Sequence, residues 1–272
     1  TTMITSRGCP HRCSFCKLNF QKTIARSAEN IVNEFRKIRS LGIQEVEIYD
    51  DTFTWGKERL RNICEGLIKD NNKITWAVRD RVTAARLDLY GLMYEAGCRR
   101  IHFGVELGVQ RILNRMQKNI TTEQARYAVK TARQSGLQVL THFMFGNLDE
   151  TVADMMQTID FALELDADYA EFSITIPYAG TAMYKEGLSP GIISHDFWLD
   201  NAKCPTPGMR PAQVIESHAD LDTLQGILNE ANRRFYFRPR YILREFSRLR
   251  SLGEFMRKSQ IGYRLAASIF AG

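Results

Sequence analysis

The chain of 272 residues is 44% hydrophobic and 25% charged, a balance that fits an ordinary globular protein and excludes the disordered and fibrous classes. No apolar run approaches the ~18–20 residues that span a bilayer, and no secretory signal opens the chain. Net charge is +6, and residues 226–272 hold ten Arg or Lys against Glu230, Glu245 and Glu254, a local +7 that leaves the remainder near neutral.

Taken in chain order, short apolar runs alternate with helical periodicity, which predicts βα units and a parallel sheet. Thr1 to Ser6 reads as a strand, and a chain entering directly at a strand is expected to be an excised domain. Ser27 caps a helix whose Ile31, Phe35 and Ile38 share one face and which stops at Gly42. Strands follow at Ile43 to Asp50, Ile74 to Val82, Arg99 to Glu106, Gln138 to Gly146 and Tyr169 to Ile176. Between them lie helices at Lys57 to Lys69, Asp88 to Ala96, after a Thr121/Gln124 capping box, and at Thr151 to Leu165. Leu41-Gly42-Ile43, Ala96-Gly97-Cys98 and Ser135-Gly136-Leu137 repeat one grammar, a helix ended on glycine with a strand starting at once.

Strand parity selects among parallel architectures. Val46 and Ile48 oppose Glu45, Glu47 and Tyr49; Trp76 and Val78 oppose Thr75 and Arg79; Phe103 and Val105 oppose His102 and Glu106; Phe172, Ile174 and Ile176 oppose Glu171, Ser173 and Thr175. A doubly wound sheet has apolar strands throughout. One repeatedly polar face predicts instead a curved sheet, helices outside and a polar lumen inside, that is, an α/β partial (β/α)6 barrel over residues 1–185. His102 and His142, each taken alone, read as buried hydrogen-bonding residues, and Cys98 as core packing.

Residues 186–272 form a C-terminal loop and basic helical extension. Cys204 to Pro211 has loop composition, Leu224, Ile227, Leu228, Ala231 and Phe235 mark an amphipathic helix, and Arg238-Pro239 interrupts it before Ile242, Phe246, Leu249 and Met256 resume the spacing. The basic charge reads as a solvated helix face.

Chemistry concentrates in Cys9-Pro10-His11-Arg12-Cys13-Ser14-Phe15-Cys16, a C-x3-C-x2-C run directly after the first strand. Three thiolates on one short loop can converge on one metal centre. A closed zinc site needs a fourth ligand, from His11 or a distant cysteine, whereas three cysteines leave one iron of a [4Fe–4S] cluster open to a small-molecule ligand. Cys64, Cys98 and Cys204 are scattered, so the six cysteines make no disulfide framework and a cytoplasmic, reducing setting is expected.

These residues resemble the radical S-adenosylmethionine enzymes, closely over positions 1 to about 185. The resemblance implies that Cys9, Cys13 and Cys16 hold a [4Fe–4S] cluster, that S-adenosylmethionine chelates the open iron, and that its reductive cleavage yields a 5′-deoxyadenosyl radical. Phe15 matches the aromatic position beside the adenine. Asp50 and Asp51, in Tyr49-Asp50-Asp51-Thr52-Phe53-Thr54, stand where the family meets the methionine amino group, in place of its Gly-Gly-Glu; the alternative is that they cap the next helix. Gly104-Val105-Glu106-Leu107-Gly108 places Glu106 at the ribose, and Lys118 matches a basic position that pairs with the cofactor carboxylate. Phe143-Met144-Phe145-Gly146-Asn147 and Pro177-Tyr178-Ala179-Gly180-Thr181 match the ends of strands five and six.

Thr5-Ser6-Arg7-Gly8-Cys9-Pro10 and Phe235-Tyr236-Phe237-Arg238-Pro239-Arg240-Tyr241 look like a subgroup that often carries an upstream cobalamin-binding domain and includes methyltransferases and ring-forming enzymes. No Asp-x-His-x-x-Gly cobalamin signature occurs in this chain, so cobalamin would act through a domain outside these residues. The resemblance further implies a small-molecule or lipid-like substrate in the lumen and reduced ferredoxin or flavodoxin as electron donor. Two readings of other classes start from the tail: a metal-stabilised nucleic-acid module with stacking aromatics among arginines, and a membrane-surface helix over Ile261 to Ala271.

Overall fold

The computed structural model describes residues 1–17, 22–189, 192–193, 196–205, 215, 218–249 and 251–270. Pro207, Gly208 and Pro211 of the predicted loop, and Ala271, lie outside these residues.

Among the described residues, eight strands and eleven α-helices run in the order β1 (Thr2–Met3), β2 (Ser6–Arg7), β3 (Ile24–Ala25), α1 (Ala28–Ser40), β4 (Glu45–Ile48), α2 (Lys57–Lys69), β5 (Thr75–Asp80), α3 (Leu87–Glu95), β6 (Cys98–Glu106), α4 (Gln110–Arg115), α5 (Thr122–Gln134), β7 (Gln138–Phe145), α6 (Val152–Leu165) and β8 (Tyr169–Ile174). There follow α7 (Ala182–Gly187), α8 (Phe197–Lys203), α9 (Leu221–Tyr236), α10 (Pro239–Ser247) and α11 (Leu252–Phe270). The main sheet has six strands, ordered β1-β4-β5-β6-β7-β8, and every pair is parallel. Chain order therefore equals spatial order, with helical crossovers between neighbours from β4 onward, and the result is the partial (β/α)6 barrel expected from the sequence.

One face of the sheet is aliphatic. Ile48, Val78, Ile101 and Val139 lie in register across four strands and are buried. Against the same core lie Ile31, Phe35 and Ile38 of α1 and Leu60, Ile63 and Leu67 of α2. Trp76 sits between Phe35 and Phe53, and its indole N–H donates to Ala96 O at 3.0 Å, so the ring is buried without an orphaned donor. The helix–glycine–strand grammar holds most tightly at Gly97: its φ is +104°, and a Cβ there would stand 2.8 Å from Ile74 O.

The predicted strand from Thr1 to Ser6 is broken. β1 pairs with β4 for two residues, after which the chain swings out so that β2 and β3 form an antiparallel ladder, Ser6 opposite Ala25 and Arg7 opposite Ile24. The cause is Asp50, at the end of β4, whose carboxylate accepts from Thr5 N (2.6 Å), Thr5 Oγ1 (2.5 Å) and Ser6 Oγ (2.6 Å) and pulls the backbone off the sheet edge.

Part of the basic extension faces acidic groups of the barrel, while Arg233, Arg240, Arg257 and Arg264 are exposed as a solvated face would be. Asp166 caps α6 in the left-handed region (φ +46°) and takes Arg238 at 2.7 Å, Arg244 at 3.1 Å, Arg240 at 3.4 Å and Arg133 at 3.5 Å, while Arg248 meets Asp168 at 2.5 Å and Arg234 meets Asp160 at 2.6 Å. Phe235 joins a stack with Phe172, Phe143 and Phe145. Tyr236 Oη donates to Ala170 O and accepts from Ala170 N, closing the free edge of β8. Since Phe235, Tyr236 and Tyr241 pack against one another, they are core and not a platform for bases. Asp166→Asn should leave the half-buried Arg238 and Arg244 guanidiniums uncompensated and cost about 2–4 kcal/mol. The expected result is faster proteolysis within residues 239–270; an unchanged cleavage rate would show that apolar packing alone holds the extension. No described helix is long and apolar enough to cross a membrane.

Candidate active site at the mouth of the barrel

The cysteine segment is rooted where β1 and β4 end. Asp51 Oδ2 accepts from Gly8 N at 2.8 Å, Thr23 Oγ1 donates to Gly8 O at 3.2 Å, and Arg59 Nη2 donates to Thr5 Oγ1 at 2.7 Å. Further along, Ser14 N donates to Met116 O (2.8 Å) and Ser14 O accepts from Met183 N (2.9 Å), which fastens the loop to the ends of α4 and α7. Cys16 N turns back to Cys13 O at 3.1 Å. Cys9 is buried with its sulfur 3.9 Å from Thr52 Oγ1, Cys13 is half-buried and Cys16 exposed. Burial raises the Cys16 pKa, and negative charge on Cys13, Cys9 and Asp51 raises it further. Cys13 and Cys9 thus lie close enough to Cys16 for their negative charge to act on it. Among the described residues no three His, Cys, Asp or Glu side chains are gathered into a ready metal cage. What the segment offers is three thiols on one anchored loop whose mutual repulsion a cationic centre would relieve.

At the end of β6 the backbone shifts register between Gly104 and Glu106, and Glu106 takes φ +68°. The side chain folds back over Gly104, where a Cβ would come within 2.5 Å of Glu106 Oε1 and 3.0 Å of Lys118 Nζ. Glu106 Oε1 and Lys118 Nζ form an ion pair at 2.5 Å, with the residues 9% and 6% exposed. Lys118 Nζ also stands 5.5 Å from the centre of the Phe15 ring. Gly104→Ala should push this pair apart.

Phe15, Glu106 and Lys118 are thus brought together beside the cysteines. Asp50 spends both oxygens on Thr5 and Ser6, and Asp51 one on Gly8 N, so each shapes the loop. Neither caps α2, whose N-cap is Gly56. Arg81 went unnoticed in the sequence: directly after β5, it reaches Cys13 Sγ with Nη1 (3.8 Å) and donates from Nη2 to Lys118 O (2.5 Å). Its signal was a charged residue ending a strand whose neighbours are all buried. His11 sits close enough to Arg81 and Lys118 that their charges, after burial, lower its pKa.

Below the mouth, the inner face is polar in register. Arg79 lies opposite His102, Gly104 opposite His142, and His142 opposite Glu171. His142 Nδ1 is 3.1 Å from Glu171 Oε2, and the two imidazoles are 5.7 Å apart. His102 is 8% exposed, and burial first, then His142, pushes its pKa down to about 3, so the ring is neutral at any working pH. Its Nε2 lies 3.6 Å from Glu47 Oε1, beyond hydrogen-bond reach. Both His102 nitrogens, Glu47 Oε1, Arg79 Nη1 and Arg100 Nε are buried without hydrogen-bond partners. Buried polar atoms are seldom left so.

At the end of β7, Glu150 Oε2 accepts from Asn147 N (2.8 Å) and Nδ2 (2.9 Å), and Asn147 Oδ1 accepts from Thr175 Oγ1 (3.1 Å). Burial raises the Glu150 pKa to about 7. Below about pH 4.5 the carboxyl is protonated folded and unfolded alike; between there and pH 7 the unfolded chain releases a proton that the folded chain keeps, so stability falls with rising pH and levels off above 7. Glu150→Gln should remove on the order of 3 kcal/mol of that fall. Urea unfolding at pH 5 and pH 8 reads the difference, and an unaltered pH slope would refute the assignment.

Residues 3–162 match the model of the Radical SAM superfamily. The chain belongs to the radical SAM superfamily. It is 33% identical over 247 residues to an uncharacterized methyltransferase of Pyrococcus horikoshii, covering 89% of this chain and 52% of that one. It is 26% identical over 240 residues to the anaerobic magnesium-protoporphyrin IX monomethyl ester cyclase of Cereibacter sphaeroides, covering 86% and 38%. Among solved structures, that of the cobalamin-dependent S-adenosylmethionine radical enzyme OxsB, with aqua-cobalamin and S-adenosylmethionine bound, superposes with TM-score 0.70 at 19% identity over 99% of this chain and 46% of its own. This radical SAM chain therefore spans about half the length, or less, of these relatives.

Proposed function

We propose that the chain is the core of a radical S-adenosylmethionine enzyme that alkylates or cyclises a small polar substrate, with methyl transfer the foremost reading. The observation that carries it is the placement of Cys9, Cys13 and Cys16 on an anchored loop at the barrel mouth, beside the buried Glu106–Lys118 pair and Phe15. A [4Fe–4S] cluster held there would, once reduced, supply the electron for reductive cleavage of S-adenosylmethionine.

The chain's own residues hold and exclude. Cys9, Cys13 and Cys16 would hold the cluster, Lys118 would meet the cofactor carboxylate and Glu106 its ribose hydroxyls, with Phe15 against the adenine. Asp50 and Asp51 keep the cysteine loop in place. The unpartnered donors and acceptors of Glu47, Arg79, Arg100 and His102 favour a polar substrate over a lipid-like one, since an apolar ligand would leave them unsatisfied. Methyl transfer is supported by the Pyrococcus relative, and cobalamin, as in OxsB, would be supplied by residues outside these 272. A reduced ferredoxin or flavodoxin would donate the electron, in keeping with a reducing, cytoplasmic setting.

Anaerobic reconstitution with iron and sulfide, followed by dithionite and S-adenosylmethionine, should give 5′-deoxyadenosine by chromatography. A chain that binds zinc tightly, forms no iron chromophore and makes no 5′-deoxyadenosine would overturn the proposal.

A further inference from the structure

Arg81 is 6% exposed, and the buried carboxyl of Asp80 next to it in the chain stands near enough for the two charges to act on each other. Its Nη2 is committed to Lys118 O, its Nη1 is directed at Cys13 Sγ, and its buried Nε has no hydrogen-bond partner. A guanidinium keeps its proton at every accessible pH. A full positive charge is therefore fixed against one of the three candidate ligand sulfurs.

We propose that Arg81 sets the reduction potential of the cluster, and the inference rests on the function proposed above. Reduction adds one electron, hence one negative charge, to a centre already carrying thiolate charge. A fixed cation donating to a ligand sulfur stabilises the reduced form over the oxidised form and raises the potential. Burial enlarges the effect because little water screens it. Arg81 is thus a positioning residue for charge: it touches the ligand Cys13, not the substrate.

The test is an anaerobic redox titration of the reconstituted protein followed by electron paramagnetic resonance, with no S-adenosylmethionine present. Arg81→Met should lower the reduced-to-oxidised ratio at a fixed solution potential by about tenfold, a shift of ~59 mV to more negative values for one electron. Arg81→Lys, which keeps the charge but loses the fork, should shift in the same direction by less. A role confined to bracing Lys118 O would change how much cluster is held but not the potential of what is held. Variants with full iron and sulfide and an unmoved potential would overturn the proposal. Should Arg81→Met fail to fold, Arg81→Gln, which keeps donors but carries no charge, decides by the same readout. A wild-type chain that takes up no iron would remove the proposed function first; a normal wild-type cluster with unmoved variants would remove this inference alone.

Discussion

Replacing Cys9, Cys13 or Cys16 by alanine, one at a time, should abolish iron and sulfide retention after anaerobic reconstitution, whereas Cys98→Ala and Cys64→Ala should retain both. Only a thiolate serves as ligand. Cys64 and Cys98 are fully buried, and burial pushes the Cys64 thiol up to about 12 and that of Cys98 higher still, so both stay protonated. The Cys98 thiol also donates to Arg100 O at 3.6 Å, inside the core behind β6. Each of these two substitutions should cost only about 1–2 kcal/mol of packing. Colorimetric iron and sulfide assays with the visible spectrum decide the matter. Full loading of Cys13→Ala, or loss of loading in Cys98→Ala, would move the metal centre elsewhere.

Lys118→Met should destabilise the fold by about 3–5 kcal/mol, the usual consequence of leaving a buried charge alone. The Glu106 carboxylate cannot swing out to water, because its left-handed backbone at the β6 register shift aims it inward over Gly104. Glu106→Gln combined with Lys118→Met should recover a large part of that loss, since no ion is then buried. Urea unfolding of the two single variants and the double variant gives the coupling energy. Additive single effects would show that the two side chains act independently. In S-adenosylmethionine binding, measured by equilibrium dialysis, all three variants should be impaired, which separates the cofactor role from the stability role.

The order of strands and helices was legible because each βα unit declares itself locally: a glycine at Gly42, Gly97 or Gly136 ends a helix in a conformation that other residues resist, and the Thr121/Gln124 box opens the next. The polar inner face was legible from parity, which is a backbone property. Parity put Glu106 on the inner face, where it lies over Gly104, but not its left-handed turn, since the register shift between Gly104 and Glu106 depends on a partner strand and not on the residues themselves. The break after β1 was hidden for a similar reason, being caused by Asp50, distant in sequence. In the site, cysteine spacing advertised the ligands. The pairing of Glu106 with Lys118 across α4, and the approach of Arg81 to Cys13, arise only when separate strand ends meet. Part of the tail was misread as solvated because nothing local distinguishes an arginine facing water from one facing Asp166.

The small β2–β3 ladder closes the cysteine segment at its base without any help from metal. The entropy of drawing the two ends of residues 8–23 together is therefore met during folding, by strand pairing and by Asp50 and Asp51. Iron would then meet a segment whose ends are already fixed, unlike the small zinc modules in which the ion itself drives the chain to fold. Stripping the centre with a chelator should leave the melting behaviour of the barrel nearly intact, and iron and sulfide should return without a refolding step. A scaffold that folds ahead of its cofactor would turn loss of the centre from a loss of the polypeptide into a repair.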